Sequence, residues 1–181
     1  MDETKWLISR EIPNLRRYAR SLTNSADEAD DLVQDCLERA IRKRALWRRK
    51  GSLRGWLFRI LYNVHLNGGR ARRRAQSTVD IDDTPDALAT DTAPDKRVEC
   101  WRVAEALDQL PSDQREALLL VSLENLPYDE AADALGIPIG TLRSRVSRGR
   151  ESLRALAGRT SDQNASARGS TNGQGHLRRV K

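Results

Sequence analysis

The sequence predicts an all-α chain: two small helical domains joined by a flexible acidic linker, the second a four-helix domain carrying a helix-turn-helix. Three observations lead there. Apolar residues recur at spacings of three and four in both halves of the chain, the mark of buried helical faces. No stretch alternates apolar and polar residues as a half-buried strand does. Between the halves, residues 77–96 change composition abruptly, with aspartates, Thr, Ala and prolines and few large apolar side chains. Such a segment cannot bury enough surface to offset the entropy of ordering it.

In the first domain, residues 1–76, Ile8, Ile12, Leu15, Ala19 and Leu22 form one helical stripe. A second helix starts at Ser25-Ala26-Asp27-Glu28, which fits a capping box, and its stripe is Ala29, Leu32, Val33, Cys36, Leu37, Ala40 and Ile41. A third, from about Leu53, buries Trp56, Leu57, Ile60 and Val64. In the second domain, residues 97–157, a helix with Val98, Trp101, Ala104, Leu107 and Leu110 stops at Pro111. The next runs from Ser112 through Leu123, and a short one covers Asp129–Leu135. After a Gly136-Ile137-Pro138 connection, the last helix spans Ile139 to Leu156, with Ile139, Leu142, Val146, Gly149, Leu153 and Leu156 on one stripe. Residues 158–181, rich in Ser, Asn, Gly and Gln, read as a disordered tail.

The 181 residues carry a net charge of +6, 38% hydrophobic residues and a mean hydropathy of −0.68. No apolar run approaches the roughly 18–20 residues of a membrane-spanning helix. The N-terminus lacks the basic-then-apolar layout of a signal peptide, so the expected location is cytoplasmic and secretion is excluded. Cys36 and Cys100 stand apart, with only His65 and His176 elsewhere, so neither a metal site, a cofactor nor a disulfide framework is expected. Asp80-Ile81-Asp82-Asp83 falls in the linker without fixed geometry and reads as solvated spacer. No constellation of an enzyme is present.

Charge is segregated: +9 over residues 1–76, −5 over 77–100, −2 over 101–157 and +4 over 158–181. A basic block points to a polyanion partner, usually nucleic acid. In the second domain, Ala131, Ala132, Leu135 and Ile137, facing Leu142 and Val146, supply the apolar elbow that a helix-turn-helix needs. Arg143, Arg145, Arg148 and Arg150 on the second helix supply phosphate or guanine contacts. Six of the eight aromatics lie within residues 1–62, among arginines and lysines, as sites for unpaired bases require. Trp56 is assigned to the core by its period, whereas Trp47 in an Arg-Lys-Gly loop suits a base contact.

The combination resembles bacterial RNA polymerase sigma factors of the extracytoplasmic-function type, within the sigma-70 family. The residues that carry the resemblance are Asp30-Asp31-Leu32-Val33-Gln34-Asp35, Gly55-Trp56-Leu57-Phe58-Arg59-Ile60 with Asn63, and Leu110-Pro111-Ser112-Asp113-Gln114-Arg115-Glu116-Ala117. Tyr128-Asp129-Glu130-Ala131-Ala132 with Leu135-Gly136-Ile137-Pro138-Ile139-Gly140-Thr141-Leu142-Arg143-Ser144-Arg145 completes it, in order, over about residues 5–157. The resemblance implies that residues 1–76 bind core RNA polymerase and the −10 promoter element and that 97–157 bind the −35 element. It places polymerase docking on Asp31, Leu32, Gln34 and Asp35. It places the −10 contacts, including the pocket for an extruded base, on Trp47, Arg48, Arg49, Lys50, Arg59 and Asn63. The −35 contacts fall on Thr141, Arg143, Ser144, Arg145 and Arg148. It also implies an anti-sigma factor as a partner, and neither membrane insertion nor a small-molecule substrate.

The chain departs from the family's pattern at Asn67-Gly68-Gly69, where large residues are usual. Two interior glycines cost about 1 kcal/mol each relative to alanine, so the third helix is expected to end or kink there, with the Arg70–Arg74 cluster in a loop. The competing reading is a regulator that binds duplex DNA through its helix-turn-helix alone. Such a protein has no need of the Asp31–Asp35 helix or the Trp47 loop.

Overall fold

The computed structural model describes residues 3–23, 25–44, 47, 51–75 and 103–169, with side chains placed through residue 68 in the third helix and through 156 in the last. The linker 77–96, the start of the second domain at Val98 and Trp101, and residues 170–181 lie outside the described residues. All regular structure among the described residues is helical: α1 (Glu3–Thr23), α2 (Ala26–Lys43), α3 (Leu53–Ala75), α4 (103–108), α5 (Ser112–Leu118), α6 (Tyr128–Leu135) and α7 (Ile139–Gly169).

Local chemistry sets the boundaries. Ser25 sits in extended backbone before α2 and its side chain accepts from the Glu28 amide, 3.4 Å, one half of the expected capping box. Asp27 and Glu28 in the first turn and Arg42 and Lys43 in the last complement the helix dipole. In the second half, Pro111 and Pro127 occupy the cap positions of α5 and α6, and Pro138 directly precedes α7. A proline there forfeits an amide that the helix would leave unbonded anyway. Gly136 closes α6 with φ +67°, and the Ile137 amide reaches back to the Ala132 carbonyl at 3.0 Å. That geometry suits glycine because a Cβ is penalised in the left-handed region.

Two boundaries differ from expectation. Helix α3 continues through Gly68 and Gly69 to Ala75, so the Arg70–Arg74 cluster is on a helix rather than in a loop. The glycine cost of about 2 kcal/mol falls on a helix whose preceding turns are anchored by buried Leu57, Phe58, Leu61 and Val64. Helix α7 runs on to Gly169, into the segment read as tail; no proline interrupts it there.

The core begins with α1, α2 and α3. Ile8, Leu15, Tyr18, Ala19 and Leu22 from α1 meet Ala29, Val33, Cys36 and Ala40 from α2 and Leu57, Phe58 and Leu61 from α3. Tyr18 and Phe58 pack edge to face with ring centres 5.3 Å apart. Phe58 and Tyr62 are thus buried rather than displayed as stacking platforms for bases. Trp56, as expected, packs against this cluster while partly buried. Ile139, expected on the buried stripe of α7, is instead exposed; it starts the helix beyond the elbow, where nothing covers it.

The two halves do not form separate cores. Leu110, Ala117, Leu118, Leu119, Leu120, Leu126, Leu142 and Val146 join the residues of α1–α3 in one continuous cluster, and α6 lies along α3. Between α5 and α6 the chain makes a π-type turn, Leu119–Leu123, closed by the Glu124 amide on the Leu119 carbonyl at 3.0 Å. Asn125 follows with φ +51°, a region that asparagine tolerates better than most residues. Through this turn Leu123 faces solvent while Glu124 is fully buried against the first half.

Truncating Phe58 to alanine is expected to cost about 3–5 kcal/mol, as for other fully buried aromatics, read as a lowered denaturation midpoint in urea. Burial also pushes the Cys36 thiol up to about 12, and it donates to the Leu57 carbonyl at 3.5 Å. The thiol stays protonated well above neutral pH, so a Cys100→Ser variant should resist thiol reagents at pH 8 until denatured.

Candidate nucleic-acid and protein interfaces

On α2, Asp31, Gln34 and Asp35 are exposed and share one face with Glu38, to which the Gln34 amide donates at 3.5 Å. Spacings of three and four residues align them. Leu32 does not join them: it is 8% exposed and belongs to the core, because its position in the apolar stripe turns it inward. A partner docking on this ridge meets Asp31, Gln34 and Asp35, with Leu32 beneath them.

The proposed base-holding loop is represented by Trp47, half-buried with its ring centre 6.4 Å from that of Trp56. Its Nε1 is buried and makes no hydrogen bond. Arg48, Arg49 and Lys50 lie outside the described residues. Arg59 and Asn63 are both exposed on α3, one turn apart, and the Asn63 amide donates to the Arg59 carbonyl at 2.8 Å.

The helix-turn-helix is built as its pattern suggests. Ala131, Ala132 and Leu135 of α6 and Leu142 and Val146 of α7 are buried, and Ile137 packs against them in the connection. Gly149 lets α7 approach α5; a Cβ there would come within 3.3 Å of the Gln114 carbonyl. The outward face of α7 carries Arg143, Ser147, Arg148 and Arg150. Tyr128, Arg143, Val146, Ser147, Arg150 and Arg154 line an open groove of about 510 Å³. Thr141 and Ser144 are half-buried, and the Ser144 hydroxyl is occupied by the Thr141 carbonyl at 2.9 Å. Arg145 turns away from this face to pair with Asp113 at 3.3 Å, its side chain 25% exposed. The candidate −35 set is therefore divided: Arg143 and Arg148 are displayed and Arg145 is held by α5.

A second constellation escaped sequence reasoning. Three glutamates of the second half are received by the first. Glu124 accepts from Arg17 Nε and Nη2 and from Arg54 Nη2, each at 2.9 Å. The bond to Glu124 holds the Arg17 guanidinium above its ordinary value. Tyr62 donates to Glu116 at 2.8 Å, and burial raises both groups, more than the bond to Tyr62 lowers Glu116. Glu130 accepts from the Ser52 hydroxyl and from the Ser52 amide, the latter at 3.3 Å. Gly55 permits that approach, since a Cβ there would lie 2.8 Å from Glu130 Oε2. The one available signal was Glu124 itself, a lone carboxylate ending an apolar run from Ala117.

Comparison with known proteins accords with this architecture. The family model for the sigma2 domain of PhyR matches residues 8–62, and that for sigma-70 region 4 matches residues 100–153. The extracytoplasmic-function (ECF) sigma factor EcfG of Rhodopseudomonas palustris is 40% identical over 145 residues, covering 80% of each chain. The ECF sigma factor SigM of Mycobacterium tuberculosis is 33% identical over 153 residues, 84% of this chain and 76% of that one. Among solved structures, the sigma factor RpoE of Bartonella quintana, in complex with the anti-sigma factor NepR, superposes with a TM-score of 0.76 at 34% identity, over 86% of this chain and 97% of that one. CnrH, in complex with the cytosolic domain of CnrY, gives 0.62 at 29% identity, over 84% and 86%. Among the described residues no helix is long and apolar enough to cross a membrane. By sequence along most of its length and by its fold, the chain belongs to the extracytoplasmic-function family of RNA polymerase sigma factors.

Proposed function

We propose that the chain binds core RNA polymerase in the cytoplasm and directs it to promoters with −10 and −35 elements. The observation that carries the reading is the coexistence, on one chain, of an exposed acidic ridge on α2 and an arginine-bearing helix-turn-helix. A duplex-binding regulator needs only the second.

Residues 1–76 form the polymerase-binding and −10 domain, and 97–157 the −35 domain, joined by the acidic spacer 77–96. Asp31, Gln34 and Asp35 dock on the polymerase through charge and hydrogen bonds, steering the encounter. Trp47, Arg48, Arg49 and Lys50, with Arg59 and Asn63, hold a base flipped from the −10 duplex. Extrusion costs a few kcal/mol, offset by stacking and by hydrogen bonds to the base edge. Arg143 and Arg148, with Thr141 and Ser144 close to the backbone, read the −35 major groove; Arg145 joins them once Asp113 releases it. The catalysis of RNA synthesis belongs to the polymerase, not to this chain. The solved relatives RpoE and CnrH carry NepR and CnrY, respectively, and an anti-sigma factor is the corresponding partner here.

The test is single-round transcription with purified core polymerase. Initiation at defined sites that requires both the chain and core is expected. Reversing Asp31 and Asp35 to arginine should weaken core binding at least tenfold while leaving helical content intact. Arg143→Ala should cost about 1–3 kcal/mol in −35 duplex binding. Specific duplex binding without core-dependent initiation contradicts the reading.

A further inference from the structure

We propose that the outward turn of α1 from Trp6 to Arg10 is a further single-stranded DNA contact, a platform on which a base of the opened promoter strand stacks beside the −10 pocket. That the strand is promoter DNA rests on the sigma reading; that the turn binds an unpaired strand stands on its own geometry.

Trp6 is 48% exposed, and the other aromatic side chains among the described residues are buried or half-buried. Helix period explains why. Ile8, Leu15, Ala19 and Leu22 turn one side of α1 into the core, and a residue two positions before Ile8 points about 160° away from it. An indole held in water forgoes the stabilisation that burial gives, and a stacked base restores it. Arg10 lies over the ring, its Cζ 5.0 Å from the centroid, which steadies the indole and sets a positive charge beside its exposed surface. Ser9 ties the same turn together, its hydroxyl donating to the Trp6 carbonyl at 2.7 Å. Pro13, exposed one turn on, has no amide to give the Ser9 carbonyl, so an acceptor is left on this side for a base amino group. Ring face, cation and acceptor are what an unpaired nucleotide asks for: stacking, phosphate neutralisation and an edge hydrogen bond. The helix as a whole favours a polyanion, with five Lys and Arg against two Glu. Of those two, Glu11 turns aside to Arg54 at 3.5 Å and to Asn14 at 2.9 Å.

The turn also stands where an opened strand passes. Helices α1 and α3 run in the same direction, since Glu11 meets Arg54 and, further along both, Tyr18 meets Phe58. Trp6 lies about 7.5 Å before Glu11 along the helix axis. It is therefore at the end of the bundle where the chain enters α3, the end that carries Ser52 and the Trp47 loop. A strand that leaves one base in the −10 pocket finds its next stacking surface on Trp6. A closed duplex cannot use that surface, because its bases are stacked on one another. The contact thus favours opened over closed DNA.

The test uses the full chain in complex with core polymerase and a labelled single-stranded oligonucleotide. The oligonucleotide carries the −10 element of a promoter whose start site the transcription assay has fixed. Trp6→Ala should weaken its binding about fivefold or more, and Trp6→Phe should recover most of the loss. Circular dichroism, core affinity and −35 duplex binding of Trp6→Ala should stay at wild-type values. Arg10→Gln should also weaken the strand and flatten its salt dependence by about 0.7 in log–log slope. A second arm needs no promoter. The free chain is irradiated with an oligothymidylate bearing 5-iodouracil and digested with trypsin, and an adduct is expected on the peptide 6–10. No adduct on that peptide, or equal oligonucleotide affinity in Trp6→Ala, overturns the proposal. Loss of core affinity in Trp6→Ala overturns it too, and makes the turn a polymerase contact instead. Failure of wild type to initiate with core polymerase overturns the sigma reading, and the crosslinking arm then decides the α1 contact alone.

Discussion

Where the two halves of this molecule meet, one fully buried carboxylate is set into a shared apolar cluster. Glu124 lies at the end of an apolar run, and the π-type turn before it inverts the usual order, sending Leu123 to solvent and the glutamate inward. An unpaired carboxylate in that place would be prohibitive, whereas a paired one is near neutral. The fold therefore requires Arg17 and Arg54 to be present on α1 and α3 at the right height. Beside it Tyr62 donates to Glu116 and Ser52 to Glu130, and Gly55 leaves room where a Cβ would lie 2.8 Å from Glu130 Oε2. The α1–α3 bundle and the helix-turn-helix are each explained by local apolar stripes; their relation to one another is not.

That division explains what could be read from sequence. Helical period is a local property, so the stripes over Ile8–Leu22, Ala29–Ala40 and Leu142–Val146 were legible, as were the Ser25 cap and the Gly136 turn. Long-range pairing of charges has no period. Nothing near Arg17 or Arg54 in sequence distinguishes them from the many other arginines of the first half, and each waits for a partner about seventy or more residues away. Two helical domains were legible, but composition marks a linker and is silent on whether the segments it joins touch. Gly68-Gly69 misled in the opposite direction. The cost of glycine is real but small, and a helix anchored by its earlier turns absorbs it.

The candidate surfaces were legible to a similar depth. The resemblance grouped Asp31, Leu32, Gln34 and Asp35 on α2, yet helical spacing places Leu32 in the core, and a motif read as a string does not separate the two. On α7 the arginines were identifiable, but which of them is free depends on Asp113, which only tertiary packing brings to Arg145. Aromatics in the basic block proved a mixed signal: Phe58 and Tyr62 belong to the interior, while Trp47 sits at its edge with an unsatisfied indole nitrogen.

The most direct measurement of this account is the distance between the two halves before and after assembly. Spectroscopic labels at Lys5→Cys on α1 and Glu151→Cys on α7, in a Cys100→Ser background with Cys36 left buried, report that distance in the full chain. The account predicts one short distance in the free protein, lengthening by tens of ångströms on binding core polymerase and promoter DNA. The same distance in both states, alongside active initiation, would contradict it.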